Sequence, residues 1–517
     1  MRWESPSAIA DLERLRSPDG LGLHASAGPL YRDAVFGRDS LEAAEDILHL
    51  RPDVVREVIV ALARLQGTED VPPGPRSNEE ERGKIHHEHR SLYVGGRRVS
   101  AGSQRLLEQL SDLWGGSETE LTYYGSADAT PLFVRLVARY CRRYGEPLLD
   151  QELVRRDGAS TRVGECVLAA LDWISRRMDD STLGMVEFRR RNPNGITFQV
   201  WKDSGTSYLH RDGRLADPDR PIAALEVQGY AYDALVGAAG LTDPRFRAQA
   251  GEWQERAQAL RARTLEWCWM AEDEYFAMGL DRDADGRPRR IDSIASNGAL
   301  PLETTMLDDL PDASRYVAGL VRRICSREFV TEVGIRCRSL REDHLIGFQD
   351  YHGTWAVWMK ETFDIVRGLH HQGLPRLAEQ IGTRLLNAVN VARANVEFLY
   401  VSPDQLVHYD FEDRHLRTAS PAVIAGTNVP EAGQAWTVTA ALALKWLFGS
   451  ASGLAPPAPL PADSWRSRLE AEVLQDLPRT ELHRSETDLR AAFEGRGDFV
   501  LDPRGATSPR DSADASG

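Results

Sequence analysis

The chain has 517 residues, 42% of them hydrophobic, which is enough for a large buried core in two or three average domains or in one large α-helical barrel. The formal net charge of −15 at pH 7 argues against a nucleic acid or an anionic membrane as a partner, because either would require a basic face. Neutral ligands fit this charge better.

The cysteines and the first residues predict a reduced, cytoplasmic protein. No apolar signal core follows Met1, and no uninterrupted apolar run of membrane length occurs in the chain. The cysteines are odd in number and lack the spacing of a metal site, so we expect buried thiols and neither a metal nor a cofactor. They are Cys141, Cys166, Cys268, Cys325 and Cys337.

The first predicted elements form a helical hairpin. Residues 1–30 are polar and rich in Gly and Pro, so we expect an irregular lead-in or short strands there. A helix then begins near Asp39 or Ser40, either of which can cap it, and its apolar residues share one face. A second helix is predicted from about Pro52 to Gln66, after a tight polar turn.

The same unit recurs along the chain. Amphipathic stretches predict helices near 103–114, 129–144, 163–178, 224–240, 244–270, 312–326, 354–369, 374–398 and 432–449. Long loops rich in Gly, Asp, His and aromatic residues separate many of them, at 67–100, 115–128, 180–223, 276–310, 337–353 and 400–431. Because long loops in a compact domain are usually functional, we expect them to converge at one mouth of a helical barrel.

Composition divides the chain into four expected regions. The lead-in spans 1–30 and the barrel spans 31–450. A Pro-rich strap with a peripheral helix follows at 451–500, where the sequence changes to Ala-Pro-Pro-Ala-Pro-Leu-Pro. Residues 501–517 are predicted to be a disordered tail.

The stretch from Asp281 to Asp292 allows two interpretations. Its acidic residues match the spacing of an EF-hand calcium loop. The alternation of residues before it and the Ala-Asp-Gly turn indicate a β-hairpin instead, and no convincing helix pair flanks it. We favour the hairpin and leave calcium open.

The strongest functional signal is the stretch Phe198–Thr206. Trp201, Lys202 and Asp203 place an aromatic surface, a cation and a carboxylate side by side. A little later Glu226 and Gln228 open the next helix. Such a set suits a polyhydroxylated ligand, because an indole stacks on the C–H faces of a sugar and the polar groups bind neighbouring hydroxyls.

Hydrolysis of a glycosidic bond needs two carboxylates, one protonated and one ionised, on opposite sides of the bond. We interpret Asp203 as the general acid. The best distant candidate for the second carboxylate is Glu431, which ends a long loop. A Pro-Glu pair is equally typical of an ordinary helix start, so that alternative stays open.

Other loop-to-helix junctions carry the same polar and aromatic residues. Arg38 and Asp39 can cap a helix or clamp two hydroxyls. The run from His86 to His89 could suggest a metal, but these histidines are too close together for one helical ligand face, and a solvated or sugar-contacting loop is favoured. The predicted substrate-binding residues are Arg38, Asp39, His87, Glu88, Tyr124, Asp128, Trp201, Lys202, Glu226, Gln228, His352, Trp355, Gln434 and Trp436.

Several motifs resemble those of bacterial amylo-α-1,6-glucosidase (glycogen-debranching-like) proteins, which are six-hairpin glycosidases. The order is the same for the motifs that begin at Phe36, Gly83, Tyr123, Trp201 and Glu226. The usual Tyr-His-Asn-Gly-Ser-Val-Trp-Pro instead reads Tyr-His-Gly-Thr-Trp-Ala from position 351. The resemblance covers about residues 30–450.

The resemblance implies an all-α (α/α)6 barrel with short β-hairpins at one mouth. It implies Asp203 as general acid, Glu431 as general base, and Arg38 with Asp39 as the clamp on the 4- and 6-hydroxyls. We therefore expect an inverting, exo-acting α-glycosidase, most simply an α-glucosidase. Glucosylglycerate, trehalose, sucrose and α-mannosides remain alternative substrates, and a non-catalytic carbohydrate-binding barrel remains an alternative function.

Overall fold

A computed structural model describes residues 6–346, 350–401, 407–408, 430–448, 461 and 464–478. Helices dominate this part of the chain. They are α1 Pro6–Leu15, α2 Gly37–Asp46, α3 Pro52–Arg64, α4 Ala101–Trp114, α5 Ala129–Tyr144, α6 Val163–Asp180, α7 Leu225–Ala239, α8 Pro244–Arg247, α9 Ala250–Cys268, α10 Ala313–Ile324, α11 Met359–His371, α12 Pro375–Ala392, α13 Ala435–Phe448 and α14 Trp465–Asp476. Four 3₁₀ helices span Pro147–Asp150, Ser296–Glu303, Thr305–Leu307 and Leu340–Glu342.

The predicted helices are confirmed, with one correction at the N-terminus. Each amphipathic stretch predicted between residues 39 and 449 contains a helix, and α14 lies within 451–500, where a peripheral helix was expected. The irregular lead-in was wrong for Pro6–Leu15, which is helical. Ala8, Leu12 and Leu15 are spaced by three or four residues, and all three are buried on one face. Most of the predicted strap and the whole predicted tail lie outside the described residues.

Six elements contact one another in a closed circuit. Helix α2 packs on α5, α5 on α7, and α7 on the 3₁₀ helix Ser296–Glu303. That 3₁₀ helix packs on α11, α11 on α13, and α13 returns to α2. On the outside, α3, α6, α9, α10 and α12 each pack against the element of the circuit that precedes them in the chain, and α1 packs on α13.

Within the described residues, the strands are short and form seven small sheets. They are β1 Ala34–Phe36, β2 Glu88–Ser91, β3 Tyr93–Val94, β4 Arg97–Arg98, β5 Glu120–Tyr123, β6 Glu152–Val154, β7 Ser160–Arg162, β8 Ala223–Ala224, β9 Trp269–Met270, β10 Tyr275–Phe276, β11 Gly279–Arg282, β12 Pro288–Arg290, β13 Val330–Thr331, β14 Gly334–Ile335, β15 Ala356–Trp358, β16 Phe398–Val401 and β17 Val407–His408. The three-stranded sheets have the orders β1-β2-β5, β12-β11-β8 and β15-β16-β17, and all pairs are antiparallel.

The hairpin interpretation of the Asp281–Asp292 stretch is confirmed. Strands β11 and β12 pair around a turn in which the Asp283 carboxylate accepts hydrogen bonds from the amides of Asp285 and Arg287. The Asp281 carboxylate binds the Arg289 guanidinium at 2.7 Å. Within the described ranges, no three His, Cys, Asp or Glu side chains are grouped so as to hold a metal ion.

The interior is lined with buried charges as well as apolar side chains. Between α2 and α11, the Arg367 guanidinium donates hydrogen bonds to Asp46, Glu303 and Asp364 at 2.6–2.7 Å.

All five cysteines are buried and free, as predicted. None of the described helices is long and apolar enough to cross a bilayer.

Candidate active site

The candidate site lies where strands run directly into helices of the circuit. Strands β1, β8 and β15 end at Phe36, Ala224 and Trp358, and α2, α7 and α11 begin at the next residue in each case. Because each helix follows its strand without a loop, the first turn of the helix places its polar side chains beside the sheet. Arg38, Asp39, Glu226, Lys360 and Glu361 all lie in such first turns and are buried.

Arg38 gathers three aspartates around its guanidinium. Its Nη1 donates to Asp128 Oδ2 at 2.9 Å, and Nη2 lies 3.5 Å from Asp203 Oδ2. Asp39 Oδ1 lies 3.8 Å from Arg38 Nε and has no hydrogen-bond partner among the described residues. Burial raises the pKa of Asp39 to about 7, although the positive charge of Arg38 opposes the shift. The structure thus brings the predicted clamp next to the predicted acid.

Asp203 has the environment of a carboxyl group that can donate a proton. Its side chain is 22% exposed, and its Oδ1 accepts a 2.9 Å hydrogen bond from the Tyr351 hydroxyl. Burial raises its pKa to about 6, against the lowering effects of Arg38 and Tyr351. A carboxyl with this pKa is partly protonated near neutrality, which general acid catalysis requires.

Glu431 is held by the segment that precedes β1. Its Oε2 accepts a 2.7 Å hydrogen bond from the Ser26 hydroxyl, and its Oε1 accepts one from the Leu30 amide at 3.3 Å. Burial raises its pKa, while these hydrogen bonds favour the ionised form and so oppose the shift. The helix-start alternative is wrong for Glu431, because α13 begins only at Ala435. The Glu431 carboxylate instead accepts hydrogen bonds from Ser26 and Leu30.

A third acidic residue, Glu397, was missed from the sequence. Its Oε2 accepts a 3.0 Å hydrogen bond from the Glu431 amide, and its own amide donates to the Glu431 carbonyl at 2.9 Å. Burial raises its pKa well above the usual value, and the charges of Glu431, Asp39 and Asp203 raise it further. Its signal was weak, because a polar residue before a short apolar strand is common.

The segments that carry Asp203 and Glu431 meet, although the two residues are 228 positions apart in the chain. Trp201, two residues before Asp203, packs against Trp436, five residues after Glu431, at a centroid distance of 5.6 Å. Burial raises the pKa of Tyr31, and the negative charges of Glu397, Asp203 and Glu431 raise it further.

An aromatic cluster forms a wall beside these carboxylates. Trp201 packs edge-on against Trp358 and Trp436, at centroid distances of 5.0 and 5.6 Å. His352 stacks on Trp358 at 5.2 Å, and Trp355 packs against the same cluster. Burial lowers the pKa of His352 well below its usual value, so the ring is neutral.

Three buried polar groups at this wall have no hydrogen-bond partner among the described residues. They are His352 Nε2, Trp436 Nε1 and the side-chain amide of Gln434, of which both the oxygen and the nitrogen are unpaired. A buried polar atom without a partner costs about 1–3 kcal/mol, so such groups usually meet a ligand or a water molecule. These residues suit the predicted contact with sugar hydroxyls.

Other predicted ligand contacts are used inside the protein instead. The Tyr124 hydroxyl donates to the Leu65 carbonyl at 2.8 Å, and the Gln228 amide is bonded to the backbone of Val186 and Ala224. Lys202 is fully buried, and its ammonium contacts Glu361 and the Ser296 hydroxyl. The polar groups of Tyr124, Gln228 and Lys202 therefore already have protein partners, and their contact with a substrate stays a prediction.

Three further residues that were predicted to contact the ligand also have neighbours inside the protein. Glu88 forms an ion pair with Arg90, and His87 packs edge-on against Phe36 with a pKa that burial holds well below its usual value. Glu226 Oε1 accepts hydrogen bonds from Tyr208 and Asn297, while its Oε2 is buried without a partner among the described residues.

Comparison with known proteins gives a likeness of structure rather than of sequence. No protein-family model and no curated protein matches the chain. The structure is similar to that of a GH63 mannosylglycerate hydrolase from Thermus thermophilus in complex with glucose, with a TM-score of 0.51 and 15% identity over 85% of this chain and 98% of that chain. A wild-type glycosidase is 12% identical, covers 85% and 94% of the two chains, and has a TM-score of 0.49. At 15% identity, the first likeness shows a common fold.

Proposed function

We propose that this protein is an inverting, exo-acting α-glycosidase built on an (α/α)6 barrel. The closed circuit of six inner elements, each with an outer helix, supports the barrel, as does the likeness in fold to the mannosylglycerate hydrolase. One observation carries the activity. Asp203, whose pKa is raised, and the hydrogen-bonded Glu431 lie on segments that meet where the indoles of Trp201 and Trp436 pack together.

In the proposed reaction, Asp203 protonates the glycosidic oxygen while Glu431 takes a proton from water. The water attacks the anomeric carbon from the side opposite the leaving group, so the configuration inverts. The hydrogen bonds from Ser26 and Leu30 favour the ionised form of Glu431, which this role requires. Asp39 Oδ1, Gln434 and His352 Nε2, which lack protein partners among the described residues, bind hydroxyls of the sugar.

The substrate is an α-glucoside in the first instance. A glycosylglycerate is the second candidate, because the structure whose fold is similar belongs to a mannosylglycerate hydrolase. Initial rates on α-glucosides, α-mannosides, glucosylglycerate and mannosylglycerate separate these possibilities. A carbohydrate-binding barrel without activity would bind one of them and hydrolyse none.

The configuration of the first product tests the mechanism. An α-glucoside should release β-glucose, because a single displacement inverts the anomeric centre. Proton NMR recorded within minutes of adding enzyme, before mutarotation is complete, distinguishes the two anomers. Initial release of α-glucose would show that the enzyme retains configuration and would exclude a single displacement.

The pH profile should follow Asp203. Only the protonated carboxyl can donate, so kcat/KM should fall as pH rises through about 6, the pKa to which burial raises this group. On the alkaline side the decrease should approach tenfold per pH unit. Initial rates at subsaturating substrate between pH 4 and 9, at constant ionic strength, give the profile. A rate that is constant from pH 5 to 8 would contradict this role for Asp203.

A further inference from the structure

The backbone around Asp203 is not held by regular secondary structure. Residues 196–207 contain neither helix nor strand, although they carry the proposed general acid. One backbone hydrogen bond, from the Ala127 amide to the Gln199 carbonyl at 2.7 Å, ties this segment to the loop that precedes α5. Side-chain contacts must therefore determine where the Asp203 carboxyl lies.

Both residues before Asp203 meet a single side chain, Glu361, in the first turn of α11. The indole Nε1 of Trp201 donates to Glu361 Oε1 at 3.3 Å, and the Lys202 ammonium forms an ion pair with the same oxygen. Lys202 also donates to the Ser296 hydroxyl at 3.0 Å. The side chains of Lys202 and Glu361 are both 0% exposed.

The Asp203 carboxyl itself contacts Arg38 and Tyr351, and the residues after it, Ser204 and Thr206, contact a loop. The Ser204 amide reaches His352 Nδ1 at 3.4 Å, and the Ser204 hydroxyl reaches Asp350 at 3.1 Å. His352 and Asp350 lie in a loop, whereas Glu361 lies on a helix of the inner circuit. A carboxylate on a packed helix is the more rigid anchor.

A buried ion pair is a costly way to stabilise a fold. Removing both charges from water offsets most of their mutual attraction, and apolar replacements of similar volume are often equally stable. What such a pair adds is a fixed position, because each charged group is stable only where its partner is. Lys202 and Asp203 are joined by one peptide unit, so fixing the Lys202 ammonium also restricts where the Asp203 side chain lies.

We propose that Glu361 is the positioning residue for the general acid. It fixes the indole of Trp201 and the ammonium of Lys202, and so aims the Asp203 carboxyl at the leaving-group oxygen. Glu361 does not touch the substrate in this role. The proposal rests on the proposed glycosidase function, and it adds a residue that sequence reasoning did not identify.

The test compares two leaving groups in the variant Glu361→Gln. An alkoxide leaving group needs a proton from the acid, whereas fluoride leaves with little assistance. With the acid misplaced, kcat on an α-glucoside with an alcohol leaving group should fall by about 10²-fold, within the usual range of general acid catalysis, with KM changed by less than about threefold. Hydrolysis of the α-glycosyl fluoride should change by less than about fivefold.

Glu361→Asp guards against simple loss of folding. It keeps a negative charge beside Lys202 but moves that charge back by one methylene, so we expect a folded protein with the same selective defect in a weaker form. Glu187→Gln is the matched control, because it breaks another buried ion pair, with Arg282. It should lower the melting temperature without changing the ratio of rates on the two substrates.

The outcomes separate the two proposals. A loss on the glycoside alone in both Glu361 variants supports the positioning role. Equal losses on both substrates, or wild-type kinetics in a folded Glu361→Gln protein, would overturn it. If Asp203→Asn also hydrolyses the glycoside at the wild-type rate, the proposed function itself fails.

Discussion

Replacing Asp203 by asparagine should lower kcat on an α-glucoside by about 10³-fold while the protein still binds the sugar. The amide has nearly the size and shape of the carboxyl and can still accept the hydrogen bond from Tyr351. It cannot supply a proton to the leaving oxygen. Initial rates give the loss of turnover, and calorimetric titration with the intact substrate gives the retained affinity.

The same substitution should not destabilise the protein at pH 7. The folded-state pKa of Asp203 is about 6, above its ordinary value of 3.8, so ionisation near neutrality costs free energy in the folded protein. Stability from this group is highest when it is protonated and decreases as pH rises from about 4 to about 6. Asparagine is neutral, so the free energy of unfolding at pH 7 should rise by about 1–3 kcal/mol.

Denaturant unfolding of wild type and variant at pH 7 and at pH 4 measures this difference. The variant should gain at pH 7 and gain little at pH 4, where the wild-type carboxyl is already protonated. An inactive variant that is also less stable at pH 7 would point to a structural role for Asp203. Wild-type turnover in a folded variant would exclude it as the general acid.

Helices could be predicted from the sequence because the apolar residues that each one buries recur at helical spacing within a single short segment. Helix α5, for example, repeats apolar residues at helical spacing, and its first turn follows a polar loop. The missed helix Pro6–Leu15 carried the same signal, but the many Gly and Pro residues that follow obscured it. No local pattern determines how the helices assemble. That expectation came from the resemblance of several sequence motifs to those of six-hairpin glycosidases.

The sequence indicated many residues of the candidate site, but it did not show which side chains they contact. Asp203, Arg38 and Asp128 were singled out from separate motifs, and the structure places them in direct contact. The ion pair of Lys202 was not predicted, because its partner, Glu361, lies 159 positions later in the chain. Spacing along the sequence cannot show that an ammonium next to the proposed general acid is fully buried against a distant helix.

Glu397 illustrates the same limit and bears on the choice of base. It reaches the site because β16 pairs with β15 and because the backbone at Glu397 bonds to that at Glu431. Neither pairing can be read from the residues alone. Burial raises the pKa of both carboxyls, and the charges of Glu431, Asp39 and Asp203 raise that of Glu397 further, whereas the hydrogen bonds from Ser26 and Leu30 favour the ionised form of Glu431. We therefore propose Glu431 rather than Glu397 as the base.

Replacing Glu431 by glutamine should lower kcat by about 10³-fold on the glucoside and on the glucosyl fluoride alike, because both reactions need an activated water. This differs from Asp203→Asn, which should spare the fluoride. Azide is already an anion and needs no base, so added azide should restore turnover of the fluoride in Glu431→Gln. The product, a glucosyl azide, is separated by chromatography and identified by NMR.

Glu397→Gln is the matched comparison, since it changes the neighbouring carboxyl by the same single group. A neutral carboxyl and an amide differ little in charge, so this variant should keep within about tenfold of wild-type kcat and should gain nothing from azide. The reverse pattern, with azide rescue in Glu397→Gln and normal turnover in Glu431→Gln, would transfer the role of base to Glu397. The aromatic wall and Asp203 would keep their assignments, because neither depends on which glutamate activates the water.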